Sequence, residues 1–413
     1  MILKNGLIFD GINFHPQRID IRIEGKTIKE MGKNLSKREN EEVLDFKNKL
    51  IFPGLTNTHT HVVMNLLKGY GEDTDFYTWL FKEISPREDK LNGKDFYWGA
   101  MLGILEFVRR GITQFVDMYM GCEGIVEAVG DSGMKALITR GISNIDGEYS
   151  RIMREARQLF EYENSCDGRI KIGLGPHSAY TLSYKDLYRI SEFALENDLP
   201  VTMHLYETEK EYETIRIEDI EETGILRNKI IIAHGTNIDE KIAEVFEKNN
   251  VNVSINVRSN MKLGNGIPPY KIYRDKNINI TIGTDGSCSN NSLDILRDVN
   301  DYFLVTKSKD PDLFKIEDIY RILWENVSNI GFLGDKILKS GNSADLIVID
   351  TNNPWYYPFE LKYLFNNFIQ SGNSTDVFAT MINGNWIYYN GEYKTVDVEE
   401  VYYNVKKIRN RIN

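Results

Sequence analysis

This chain predicts an α/β fold: a (β/α)8 TIM barrel over residues 53–335, with a small β-sandwich domain formed by both chain termini, residues 1–52 and 336–413. Three observations carry the prediction. Eight apolar, β-branched runs of strand length recur through the middle of the chain. Amphipathic segments of helical period separate them, and short alternating runs are confined to the two ends. A length of 413 residues suits one barrel with an accessory domain.

In chain order the eight runs are KLIFPGLTNTH, ITQFVDMY, KALITRGI, RIKIGLGPH, LPVTMHLY, KIIIAHG, VNVSINV and INITIGTDG. Continuous rather than alternating apolar character is expected of parallel strands covered on both faces. GKDFYWGAMLGILEFVRRG and SYKDLYRISEFALEN, lying between runs, have the period of crossover helices. The flanks differ: LIFDG, RIDIRIEGKTIKEMG and EVLDFKNKL at one end, ADLIVID and DVFATMINGNWIYYNGEYK at the other, alternate and break at Gly and Asn-Gly, which predicts antiparallel strands. Each flank is too small to bury a core alone, so the two are expected to pair. VDVEEVYYNVKKIRNRIN predicts a basic terminal helix.

Composition narrows the function. Tyr 23, Phe 19 and 41% hydrophobic residues exclude a disordered chain, and a net charge of -11 argues against nucleic acid and anionic membranes as partners. No window approaches the ~18 apolar residues of a membrane span. Cys122, Cys166 and Cys288 form neither a CxxC pair nor an even set, which points to a reducing cytoplasm. A small uncharged or zwitterionic substrate fits this balance, and a homo-oligomer is left open.

The chemistry lies where the runs end. Of six histidines, His59 and His61 (NTHTH), His204 (MHLYE) and His234 (AHGT) close apolar runs, as does Asp285 (GTDG). Taken singly, each is as readily a hydrogen-bonded core residue or, for Asp285, a turn residue. Together they form a constellation, because strand C-termini converge on the mouth of such a barrel. His59 and His61, at i and i+2, point to the same face. Neutral imidazoles with a carboxylate suit Zn²⁺ or a similar divalent ion, and a position left open for water makes such a site catalytic. Glu207, three residues after His204, suits a general acid/base, although a charged loop start also explains it. His234 is either a fourth ligand or a neutral partner that orients the nucleophile. His177, ending the fourth run, suits a substrate contact or a structural role. No lysine ends that run, Lys171 coming too early, which weakens a two-metal arrangement. His15 sits in a polar turn and is expected on the surface.

PGLTNTHTHVVMNLLKGYGEDTDFYTWLF, HLYETEKE, NMKLGNGIPP and GTDGSCSNNSLDILRD resemble the amidohydrolase superfamily, and within it the 5-methylthioadenosine/S-adenosylhomocysteine deaminases. The resemblance runs nearly the whole chain. It implies one Zn²⁺ per chain held by His59, His61, His204 and Asp285, with Glu207, His234 and Asp285 moving protons. It implies substrate contacts from Glu88 (ISPRED), Arg140 (LITRG), Arg151 (EYSRIMRE), His177 and Glu207. Glu88 would accept from ribose hydroxyls, and an arginine fork would take an amino-acid carboxylate. Trp79 would cover the purine, though an ordinary buried Trp explains it as well.

The implied reaction is hydrolytic deamination at C6 of an adenosine-type nucleoside, S-adenosylhomocysteine, 5-methylthioadenosine or adenosine, with Glu207 protonating N1. A guanine, pterin or triazine aminohydrolase or chlorohydrolase is the alternative, and a non-catalytic scaffold a remote one. The chain departs from the family at Val257 and Arg258, where Pro and a small residue are usual, and at Asn237, where a second His is common.

Overall fold

The computed structural model describes residues 1–145 and 147–413. All eight predicted runs form parallel strands: β1 Leu55–Thr60, β2 Ile112–Tyr119, β3 Lys135–Ile142, β4 Ile170–Pro176, β5 Val201–Leu205, β6 Ile230–His234, β7 Asn252–Ile255 and β8 Asn279–Ile282. They pair in chain order, each with its successor. The ends of this ladder meet at Thr58 of β1, whose hydroxyl bonds those of Ser254 and Thr281 and donates to the carbonyl of Ile282. Almost every strand residue is buried, as expected for parallel strands covered on both faces. The predicted crossover segments form helices Asp95–Arg109 and Tyr184–Glu196.

The first run divides between two sheets. Lys49–Pro53 lies in a seven-stranded sheet with four strands from the C-terminal flank and two more from the N-terminal one, while Leu55–Thr60 opens the barrel. Gly54 is the pivot. A Cβ there would sit 2.2 Å from the Thr113 hydroxyl, so only glycine passes this close to β2. The Gly54 amide then donates to the carbonyl of Asp345 across the junction.

A four-stranded sheet from the N-terminal flank covers the larger one. Leu3, Ile21, Ile23 and Phe46 meet Ile51, Val348 and Met381 in a core separate from that of the barrel. Two pairs depart from the antiparallel expectation. Ile2–Lys4 pairs in parallel with Val43–Asp45, and Leu7–Ile8 with Lys49–Pro53. Thr27–Gly32 runs the same way as Ile2–Lys4 and ends beside Asp20, so residues 33–42 carry the chain back before Val43 begins, which permits the parallel direction. The terminal helix Val398–Ile412 buries Val401, Ile408 and Ile412 and packs on helix Asp95–Arg109. No helix among the described residues is long and apolar enough to cross a membrane, and the three cysteines are unpaired.

Candidate active site

The C-terminal ends of β1, β5, β6 and β8 bring His59, His61, His204, His234 and Asp285 together. Nε2 of His61 lies 3.2 Å from Asp285 Oδ1 and 3.3 Å from Nε2 of His204, and Nε2 of His59 lies 3.6 Å from the same Asp285 oxygen. Three non-glycine residues at these ends take left-handed backbone: Tyr206 (φ 54°), His234 (φ 74°) and Asp285 (φ 61°). Such conformations cost of order 1 kcal/mol each or more and persist where the surrounding fold over-determines them. His234 and Asp285 line the mouth, while the Tyr206 side chain turns away and donates to the carbonyl of Ile215.

The ring orientations follow from the backbone behind them. Nδ1 of His61 donates to the carbonyl of Met118 (2.5 Å) and Nδ1 of His204 to that of His177 (2.8 Å), which aims each Nε2 at the common centre. Asp285 accepts from the hydroxyls of Ser259 (2.6 Å) and Ser289 (2.9 Å) through Oδ2, which turns Oδ1 toward the histidines. Neither ring nitrogen of the fully buried His59 has a hydrogen-bond partner among the described residues. Buried unpartnered nitrogens are rare without a ligand to satisfy them.

Burial pushes the His59 ring down to about 3 and His204 well below its ordinary value, so both are neutral lone-pair donors. Burial also opposes charging His61, but the Asp285 carboxylate outweighs it and lifts that ring to about 9. A cation binding there displaces a proton. His59, His61 and His204, and likewise His59, His234 and Asp285, offer donor atoms within 4.8 Å of one another. The two sets share His59, and their nitrogen and carboxylate donors fit a divalent cation.

Glu207 sits beside this centre. Its amide and that of Thr208 donate to Glu211 Oε2, in the capping box that opens helix Glu209–Thr214. The Asn237 side chain donates to the Glu207 carbonyl (2.8 Å) and to that of Asn265 (3.0 Å), and Asn265 donates to Glu207 Oε1 (3.0 Å). Oε2 is left 3.7 Å from Nε2 of His234. Burial raises the Glu207 carboxyl well above the usual range, with the charges of Asp285 and Glu211 adding to it. His234 donates from Nδ1 to Asn260 Oδ1 (2.8 Å), so in its neutral form Nε2 is bare.

A cavity opens above the cluster, and Trp79, Glu88, Arg140 and His177 all line it. Glu88 is buried and accepts from the Tyr119 hydroxyl (2.5 Å); burial raises its carboxyl despite that bond. His177 is held through Nδ1 by the hydroxyls of Ser178 and Thr181. Arg151 is the exception. It stands on the surface of helix Tyr149–Gln158, 53% exposed, paired with Glu148 and Glu155, and does not line the cavity. Arg258, the departure nearest the mouth, is likewise turned away, toward Asn290 and Asp301. Asn237 is not a ligand position but a brace for Glu207.

The sequence reading missed Tyr119, Ser259, Asn260, Asn265 and Ser289. Asn260 and Asn265 lie in NMKLGNG and Ser289 in GTDGSCS, segments already marked by the resemblance, so their place was visible but their bonds were not. Tyr119 ends β2 beside the first two histidines and had no signal of its own.

The amidohydrolase family model matches residues 50–387. A 5-methylthioadenosine/S-adenosylhomocysteine deaminase from Thermotoga maritima is 38% identical, spanning all of this chain and 99% of the relative. A 5′-deoxyadenosine deaminase from Methanocaldococcus jannaschii is 34% identical over 97% of both. Among solved structures, an adenosine deaminase from Xanthomonas campestris with bound zinc superposes with a TM-score of 0.91 at 23% identity, covering 100% of this chain and 98% of that one. An atrazine chlorohydrolase from Arthrobacter aurescens, complexed with zinc, gives 0.88 at 20% identity over 99% of both. At that identity both likenesses speak for the fold. The family model and the near full-length relatives together place the chain in the amidohydrolase family, among the 5-methylthioadenosine/S-adenosylhomocysteine deaminases.

Proposed function

We propose that this protein is a metal-dependent hydrolytic deaminase that converts the 6-amino group of an adenosine-type nucleoside to the inosine-type product, releasing ammonia. The observation that carries the reading is one cavity with two kinds of wall. At its base lie the histidine and carboxylate cluster and the buried Glu207; on its side lie Glu88 and Arg140. A compact guanine, pterin or triazine ring would use the base and leave the side idle. The relatives are named for nucleoside substrates, which favours the same choice.

His59, His61, His204 and Asp285 hold one Zn²⁺ in this reading. When bound, such an ion lowers the pKa of a water to about 7 and so supplies a nucleophile at neutral pH. The chain's own residues supply the rest. Glu207, whose carboxyl burial holds above the usual range, takes a proton from the attacking water and delivers it to N1 as the C6–O bond forms. His234, fixed by Asn260, offers bare Nε2 as acceptor to the same water and keeps it in line with C6. Asp285 passes the second proton to the exocyclic nitrogen, the C6–N bond breaks, and ammonia leaves. Glu88 accepts from the ribose diol, His177 contacts the purine edge, and Trp79 covers the ring. Arg140 meets the 5′ substituent. Arg151 acts on the substrate only through Glu155, the carboxylate it shares with Arg140.

Ammonia release by the zinc-loaded protein from S-adenosylhomocysteine, 5-methylthioadenosine, adenosine, guanine and a chlorotriazine tests this. Turnover of the three nucleosides is expected. Turnover of guanine or triazine without the nucleosides would sink it.

A further inference from the structure

The Arg140 guanidinium already has a carboxylate. Its Nε and Nη2 lie 3.0 and 2.9 Å from Glu155 Oε2, and Nη1 donates to the carbonyl of Gly141. Glu155 reaches up from helix Tyr149–Gln158 and shares its other oxygen, Oε1, with Arg151 (2.5 Å), which also holds Glu148 (2.7 Å). Two arginines and two glutamates thus make a neutral set. Only Arg140, 12% exposed, belongs to the cavity wall, and Glu155 supports it from behind without lining the cavity.

We infer that Glu155 is a specificity-determining residue: by neutralising Arg140 it biases the 5′ subsite toward nucleosides with uncharged tails. The inference rests on the deaminase reading above. A homocysteine tail that sets its carboxylate on Arg140, with its ammonium turned away from the fork, brings a third carboxylate to two guanidiniums, and in a half-buried site that local negative charge is poorly screened. It must either share the fork with Glu155 or displace it. A methylthio group or a plain hydroxyl meets no such competitor. With Glu155 removed, Arg140, Arg151 and Glu148 carry one net positive charge, which matches one incoming carboxylate.

The test compares kcat/KM for S-adenosylhomocysteine against 5-methylthioadenosine in the zinc-loaded wild type, Glu155→Gln, Glu155→Ala and Glu148→Gln. Glu148 bonds Arg151 and not Arg140, so its variant removes a neighbouring charge and leaves the fork alone. Both Glu155 variants should raise the ratio about tenfold in favour of S-adenosylhomocysteine, chiefly through a lower KM for that substrate, with the gain shrinking at high salt. Glu148→Gln should move it less than about twofold. A ratio that stays level or falls in the Glu155 variants would mean that Glu155 only orients Arg140, and equal gains in all variants would mean a general charge effect; either overturns the inference. No ammonia from either nucleoside in the wild type would overturn the deaminase reading and this inference with it.

Discussion

Polar side chains gather at both ends of the barrel, and their partners differ. At the N-terminal end, Asn252 donates to the carbonyl of Ile230, Asn279 to Asn252 Oδ1 and to the carbonyl of Asn326, and Asn326 to that of Ile280. Lys336 donates its ammonium to Gln114. These groups satisfy one another. At the C-terminal end neither ring nitrogen of His59 has a partner among the described residues, and Nε2 of His61, Nε2 of His204 and Oδ1 of Asp285 converge on the same point. A site shows itself by polar groups held in readiness, not by their number.

Removing the metal should break the contrast most completely. Chelation should abolish turnover, and about one equivalent of zinc per chain should restore it along with a higher melting temperature, since a ligand bound only by the folded state stabilises it. Metal analysis that finds a second stoichiometric ion needed for activity would refute a single centre. Glu207→Gln should keep the metal and lose ~10² to 10⁴-fold in kcat. Near-normal kcat in a metal-replete variant would make Glu207 a loop carboxylate.

The other end offers a stability test. Burial lowers Lys336 from 10.5 to about 8. Between those values the unfolded chain binds the proton and the folded one has released it, so stability rises with pH through this window. Below pH 8 the folded state bears the full cost, of order 3 kcal/mol. Lys336→Met should therefore lack the rise that the wild type shows between pH 8 and 10 in thermal melts. Parallel curves for the two would show that Gln114 and Asp345 already compensate the ammonium. The smallest effect expected is at the cavity wall. Arg140→Met should lower kcat/KM for S-adenosylhomocysteine about tenfold relative to 5-methylthioadenosine, the lower range for a charge-assisted contact, and Arg151→Met by less than threefold. Equal losses for the two variants would return Arg151 to direct contact.

What the residues alone could and could not tell follows the same division. The eight strands and the mouth histidines were legible because a strand buried on both faces is a continuous apolar run, and a polar residue ending it stands out. Asn260, Ser259 and Ser289 were not, because an amide or hydroxyl in a loop looks the same whether it braces a ligand or meets water. The place of Arg151 off the cavity wall was hidden for another reason: the helical period places it on a face, but which face meets the cavity is set by packing on β3. The split of KLIFPGLTNTH at Gly54 hid inside one apolar run, since both halves are buried and only their partners differ.

The helix Val398–Ile412 has a consequence for the order in which the protein is made. Arg409 donates to the carbonyl of Leu66, 343 residues earlier, and to that of Lys68, while Lys90 donates to the carbonyl of Ile412. Those contacts brace the stretch from His61 to Glu88, which carries Trp79 and one wall of the cavity. On the ribosome that stretch emerges before the helix and waits unbraced while the other seven barrel strands follow. The cavity wall is braced from outside by a helix that follows every barrel strand in the chain, so a nascent chain can complete the barrel before that wall is braced.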